Sequence, residues 1–107
     1  MTYTFENVVA WQKAHTFVLN VYSVTKQFPA DELYGLTSQF RRAAVSIEAN
    51  IAEGCSMEEC RDYILLARDL YYISDTDFSD LHDALEDASK MLYLYCNGII
   101  NNNGVKD

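Results

Sequence analysis

Tyr34-Gly35-Leu36-Thr37-Ser38-Gln39-Phe40-Arg41-Arg42-Ala43-Ala44-Val45-Ser46-Ile47-Glu48-Ala49-Asn50-Ile51-Ala52-Glu53-Gly54 reads as one amphipathic helix followed by its stop. Leu36, Phe40, Ala43 or Ala44, Ile47 and Ile51 recur three and four residues apart, the spacing that stacks side chains on one face of a helix. Continued backward, the stripe takes in Leu33, so the helix spans about Asp31 to Glu53. Gly35 interrupts it and costs about 1 kcal/mol of propensity relative to alanine, which moves the expected ordered start to Leu36 or Thr37. Gly54 suits the left-handed residue with which helices commonly end.

The flanking segments carry the same period. Trp11, Ala14, Val18, Val21 or Tyr22, and Thr25 predict a first helix from about Asn7 to Gln27, stopped by Pro29. Phe17 and Val24 lie off that stripe, so a second side of the helix is expected to be buried against another helix or another subunit. Ser56-Met57-Glu58-Glu59 fits a capping box and opens a third helix, with Cys60, Tyr63 or Ile64, Ala67, and Leu70 or Tyr71 inward. Ending near Ile73, it is about 17 residues or roughly 25 Å long, the shortest of the set. Ser74-Asp75-Thr76-Asp77 is a second cap, with acidic residues where the helix dipole favours them. Phe78, Leu81, Leu85, Ala88, Met91 or Leu92, Tyr95 and Ile99 then hold the period to about Ile100, and a polar tail follows from Asn101.

Short connections at Phe28–Asp31, Gly54–Ser56 and Ile73–Asp75 make consecutive helices antiparallel neighbours. The expectation is an all-α, up-down-up-down four-helix bundle forming a single domain over residues 1–107. Composition agrees. One proline and four glycines suit a few long helices, and a hydrophobic share of 50% offsets the entropy of ordering the chain. No apolar run approaches the roughly 18 to 20 residues that cross a bilayer, and Met1–Ala10 lacks the basic start and apolar stretch of a signal peptide, so a cytoplasmic location is expected.

Sixteen acidic residues against eight basic ones give a net charge of −8, a field that repels phosphate backbones unless the cations gather on one face. Arg41 and Arg42 are the best basic pair. As adjacent helical residues they diverge by about 100°. Salt bridges are their ordinary use, but repetition of the pair around an oligomer would create a multivalent band for RNA phosphates. Arg61 and Arg68, seven residues apart on one helical face, would extend it. Trp11 and the tyrosines are stacking platforms in principle, but core or interface positions are commoner; Tyr71, Tyr72, Tyr93 and Tyr95 exceed what one seam buries and are assigned to subunit contacts. Asp75, Asp77, Asp80, Asp83, Glu86 and Asp87 form a run without a basic residue, a solvated face or a docking surface for a basic partner.

Catalytic chemistry finds no support in these residues. Di-iron bundles use inward Glu-x-x-His pairs, and neither His15 nor His82 has a glutamate three residues before it, so Glu48, Glu53 and the acidic run predict no metal. Cys55, Cys60 and Cys96 make an odd number without a Cys-x-x-Cys pair, and no motif joins a thiol to a histidine base. They are read as free, partly buried thiols. Without a glycine-rich phosphate loop either, the expectation is no catalytic residue, no cofactor and no metal.

Phe5, Val9-x-Trp11-Gln12-x-Ala14, the run Tyr34–Ala44 and the run Ser46–Gly54 resemble the 23S rRNA intervening-sequence protein family, and Leu65–Leu70 followed by Tyr72-Ile73-Ser74 extends the likeness. The resemblance implies a four-helix bundle assembled into a ring-like homo-oligomer, commonly a pentamer, with no enzymatic activity and an association with RNA or ribonucleoprotein. One departure stands out. Between the Glu-Gly end of the second helix and the Leu-Leu-Ala run of the third, family members carry a basic and apolar stretch of about twenty residues, roughly 30 Å of helix. Here Gly54-Cys55-Ser56 leads almost directly into Met57-Glu58-Glu59, so either the third helix is shortened or a segment of about twenty residues is left out between Gly54 and Met57. Two functional readings follow: a homo-oligomeric binding or scaffolding module associated with RNA, or a protein-binding adaptor that uses the acidic face of the fourth helix without nucleic-acid contact.

Overall fold

A computed structural model describes the backbone over residues 5–49 and 56–106 and the side chains over residues 8–49 and 57–94. Four helices occupy it: α1 (Phe5–Thr25), α2 (Leu36–Ala49), α3 (Ser56–Asp69) and α4 (Asp75–Lys106), with a 3-10 turn at Ala30–Glu32. Among the described residues there is no strand. α1 packs against α2 and α4, and α3 packs against the same two, which is the cyclic order of an up-down-up-down bundle.

Burial follows the helical period, with one exception in α1. Ala10, Ala14, Phe17, Val18, Val21 and Val24 are buried, so Phe17 and Val24 belong to the inward stripe. Ala14, Val18, Val21 and Thr25 of the expected stripe are buried, Val21 rather than Tyr22 taking the inward place, and Trp11, 42% exposed, is the correction to it. Any stripe with steps of three and four has a neighbour one residue away, and the larger ring does not decide between them. In α2 the inward side is Leu36, Thr37, Phe40, Ala43, Ala44 and Ile47; in α4 it is Leu81, Leu85, Ala88 and Leu92. Phe17, Phe40 and Tyr63 meet across the core at ring-centre separations of 6.4 and 5.9 Å.

The α1–α2 connection is longer than the turn at Phe28–Asp31 that the sequence suggests. α1 tightens into single-turn bonds at Gln27 and Phe28, whose amides donate to Val24 and Thr25 carbonyls, before Pro29 enters an extended conformation. Phe28 is buried under Tyr72, at 5.3 Å between ring centres. Leu33 lies outside α2 and is 49% exposed, against its expected inward place. α2 begins at Leu36, because Glu32 reaches forward from the preceding turn and its Oε1 accepts the Leu36 amide at 3.2 Å. Gly35 makes this reach fit: a Cβ there would stand 2.8 Å from Glu32 Oε1.

The third helix stops at Asp69, short of Ile73. Tyr71 takes φ 62°, its amide donates to Arg68 O at 3.0 Å, and the Tyr72 amide donates to Ala67 O at 2.9 Å, the paired bonds of a left-handed helix stop. The reversal turns Leu70 and Tyr71 outward, where the sequence had one of them inward, and returns Ile73 to the core. Ser74 Oγ then accepts the Asp77 amide at 3.0 Å, the cap expected for the fourth helix.

Shortening is shared by the middle pair. α2 and α3 are each 14 residues where described, against 21 in α1 and 32 in α4. α4 also continues to Lys106, past the end read near Ile100 and through Asn101-Asn102-Asn103, whose modest propensity deficits do not stop a helix without a proline. At about 48 Å it outruns its neighbours and sets the long dimension of a 53 × 24 × 18 Å molecule. Cys55, Glu53 and Ile51 lie outside the described residues, as do the side chains of Ser56, Tyr95, Cys96 and Ile99.

Candidate nucleic-acid interface

α2 turns one stripe away from the core, and that stripe contains no carboxylate. Ser38, Arg41, Val45 and Ala49 follow one another at helical spacing, with Arg42 on the adjoining flank and Tyr34 in the turn just before the helix. Together with Tyr22 from α1 and Leu33 they line an open groove of about 560 Å³. The only glutamate in α2, Glu48, is turned toward α1, where its Oε1 accepts from His15 Nδ1 at 2.9 Å, and the His15 ring lies stacked on Trp11 at 4.7 Å.

Arg41 is held before any ligand arrives. Its Nε donates to Thr25 Oγ1 at 2.8 Å, and Thr25 in turn donates to the Val21 carbonyl at 2.7 Å. The guanidinium carbon stands 4.7 Å from the centre of the Tyr22 ring, a cation–π placement. Thr25 is buried, so α1 fixes the arginine from below while both terminal amino groups have no carboxylate partner among the described residues. Arg42 is exposed, donates weakly to Ser38 Oγ at 3.3 Å, and also borders a second groove with Gln39, Glu59 and Tyr63 on the α3 side. Tyr63 feels this surrounding: burial chiefly, with Glu59 next, raises its phenol above the ordinary value, and the nearby Arg42 charge opposes them.

The other two arginines are placed elsewhere. Arg61 bridges Glu58 and Glu86, donating from Nε to Glu86 Oε1 at 3.1 Å, and Arg68 pairs with Asp69 at 3.2 Å while lying over the Phe78 ring. Both face α4 across the α3–α4 seam, so the structure brings Arg41 and Arg42 together on α2 and separates Arg61 and Arg68 from them. The same bridge draws Glu86 out of the acidic run, leaving Asp75, Asp80, Asp83 and Asp87 exposed.

The tyrosines divide as well. Tyr72 spends its ring on Phe28 and its hydroxyl on Glu32 Oε2 at 2.7 Å, and that hydrogen bond is the main cause that raises its pKa. Tyr71 is 92% exposed and Tyr93 69%. Tyr34, at 91% exposure, carries a signal that was available in the sequence: it sits one residue before the glycine that delays α2, so it cannot join the inward stripe.

Cys60 is fully buried, and burial, with a smaller push from Glu59, raises its thiol to about 12. No group of three His, Cys, Asp or Glu side chains converges among the described residues, and no described helix is long and apolar enough to cross a membrane.

Residues 6–57 match the 23S rRNA-intervening sequence protein family. The matched segment covers α1 from its second residue, all of α2 and the first two residues of α3, and includes every residue that lines the groove. Leu65–Leu70 and Tyr72–Ser74 lie outside it. No curated protein matches the chain.

Proposed function

We propose that the protein is a non-enzymatic, self-associating helical module of the cytoplasm that holds RNA through the outer face of α2. The observation that carries this reading is the pre-set Arg41: its side-chain entropy is already spent on Thr25 and Tyr22, so a phosphate gains a bidentate partner without ordering it. Arg42 adds a second charge, and the absence of acidic groups along the described α2 stripe keeps both available in a chain of net charge −8. Membership of the matched segment in a family named for an rRNA insertion favours RNA over other polyanions. Self-association would repeat the pair and convert a weak site into a multivalent one. Exposed Leu65 and Leu66 on α3, with Tyr93 and Leu94 on α4, offer apolar area for it, and a ring of five is the arrangement that the family resemblance favours.

A gel-shift titration with an RNA that carries both a stem and unpaired tails tests the reading. Binding should weaken steeply with salt and disappear in the double variant Arg41→Glu, Arg42→Glu while the helical circular dichroism is kept. No shift at low salt would overturn it. In that case a change of captured partners on charge reversal at Asp80 and Asp83 would favour the protein-adaptor reading instead.

A further inference from the structure

We infer that the groove on α2 takes a single-stranded segment of RNA, with a base stacked on Tyr34, and discriminates against duplex; this rests on the RNA reading given above. The lining mixes two chemistries. Arg41 and Arg42 answer to phosphate, whereas Tyr22, Leu33, Tyr34 and Val45 answer to flat apolar surface. A duplex presents its phosphates and sugars and hides its base faces in the stack, so the aromatic half of this groove would meet nothing suited to it. An unpaired strand offers both, alternately, along its length.

Position supports the same ligand. Tyr34, in the turn before α2, and Arg41, in the second turn of that helix, line one groove, so a stacking ring and a phosphate partner face the same ligand. Tyr34 is 91% exposed, and its ring has neither an aromatic nor a cationic partner among the described residues. The Tyr22 ring, by contrast, already carries the Arg41 guanidinium, whose plane makes a second stacking surface. Ser38 and Ser46 place hydroxyls along the same groove for phosphate or 2′-hydroxyl contacts. The charge of −8 works in the same direction, because a stiff duplex would lay further phosphates against acidic surface while a flexible strand can leave the groove at either end.

Fluorescence anisotropy at low salt compares an oligouridine of about ten nucleotides, within the range one small domain covers, with a blunt hairpin of equal phosphate number. The oligouridine should bind about tenfold more tightly, Tyr34→Ala should remove about that factor from it and leave hairpin binding unchanged, and Tyr34→Trp should restore it. Equal affinity for the two probes, or an unaltered oligouridine affinity in Tyr34→Ala while Arg41→Gln abolishes binding, would overturn the stacked-base inference and leave the RNA reading standing. Failure of both probes to bind would overturn the two together. Tyr34 lies outside the core and outside α2, so its variants test contact and not folding.

Discussion

Tyr71 adopts a backbone conformation that costs an L-residue about 1–2 kcal/mol, and its ring, almost wholly in solvent, recovers little of that within the chain. Glycine carries no such penalty at a left-handed helix stop. Tyr71→Gly should therefore raise the free energy of unfolding by about 0.5–1 kcal/mol, read from the urea midpoint at an unchanged slope. If the ring is a subunit contact, the same variant will also sediment more slowly. Cys60 makes a second prediction at this scale. Its thiol, ordinarily ionising near 9, is held protonated to about 12 by burial, so between those values the unfolded chain has released a proton that the folded chain keeps. The slope of stability against pH is then negative: the contribution is intact below pH 9 and is lost progressively as pH rises toward 12, by about 1.4 kcal/mol per unit. Urea midpoints at pH 8 and pH 10 should show the fall, and Cys60→Ala should flatten it at the cost of a lower midpoint throughout.

Helix ends, more than helix interiors, separate what the sequence discloses from what it conceals. The inward faces of α2 and α4 are legible because Leu36, Phe40, Ile47 and Leu81, Leu85, Leu92 repeat a local period. The start of α2 is legible from Gly35 and the start of α4 from Ser74, since both signals are local too. The clasp that fixes the α1–α2 connection is different: Glu32 joins the Leu36 amide four residues on and the Tyr72 hydroxyl forty residues away. No spacing rule pairs those positions, because only tertiary packing brings the two connections to one end of the bundle. The site divides in the same way. Arg41 and Arg42 stand out as an adjacent pair, but the anchoring of Arg41 by Thr25 and Tyr22 joins two helices across sixteen or more residues of sequence, which no local spacing discloses. The clasp itself is measurable. Tyr72→Phe removes one charge-assisted hydrogen bond and should lower stability by about 1.5 kcal/mol in thermal or urea unfolding. A loss within experimental error would show that water replaces the bond at no cost.

At the scale of the molecule, the mismatch in helix lengths matters most. α4 extends beyond the reach of α2 and α3, and its residues 91–105 include no charged side chain in a protein that is 22% charged as a whole. Tyr93 and Leu94 are exposed at the start of that length. Exposed apolar side chains such as these are covered favourably by a second copy, so self-association is expected to run through Tyr93 and Leu94. Sedimentation velocity should give a species larger than 12.2 kDa, and Leu94→Glu should shift the distribution toward the monomer while circular dichroism stays helical. A monomer in the unaltered protein at micromolar concentration would remove the multivalent part of the RNA reading. The Glu32–Tyr72 clasp has a dynamic corollary for the same elongated shape. It ties the two connections together at one pole, so slow opening of the bundle should begin at the opposite pole and travel inward. Hydrogen–deuterium exchange would display this as a gradient: amides in the last turns of α1 and the first turns of α2 and α4 exchanging last, and those of the α4 overhang first.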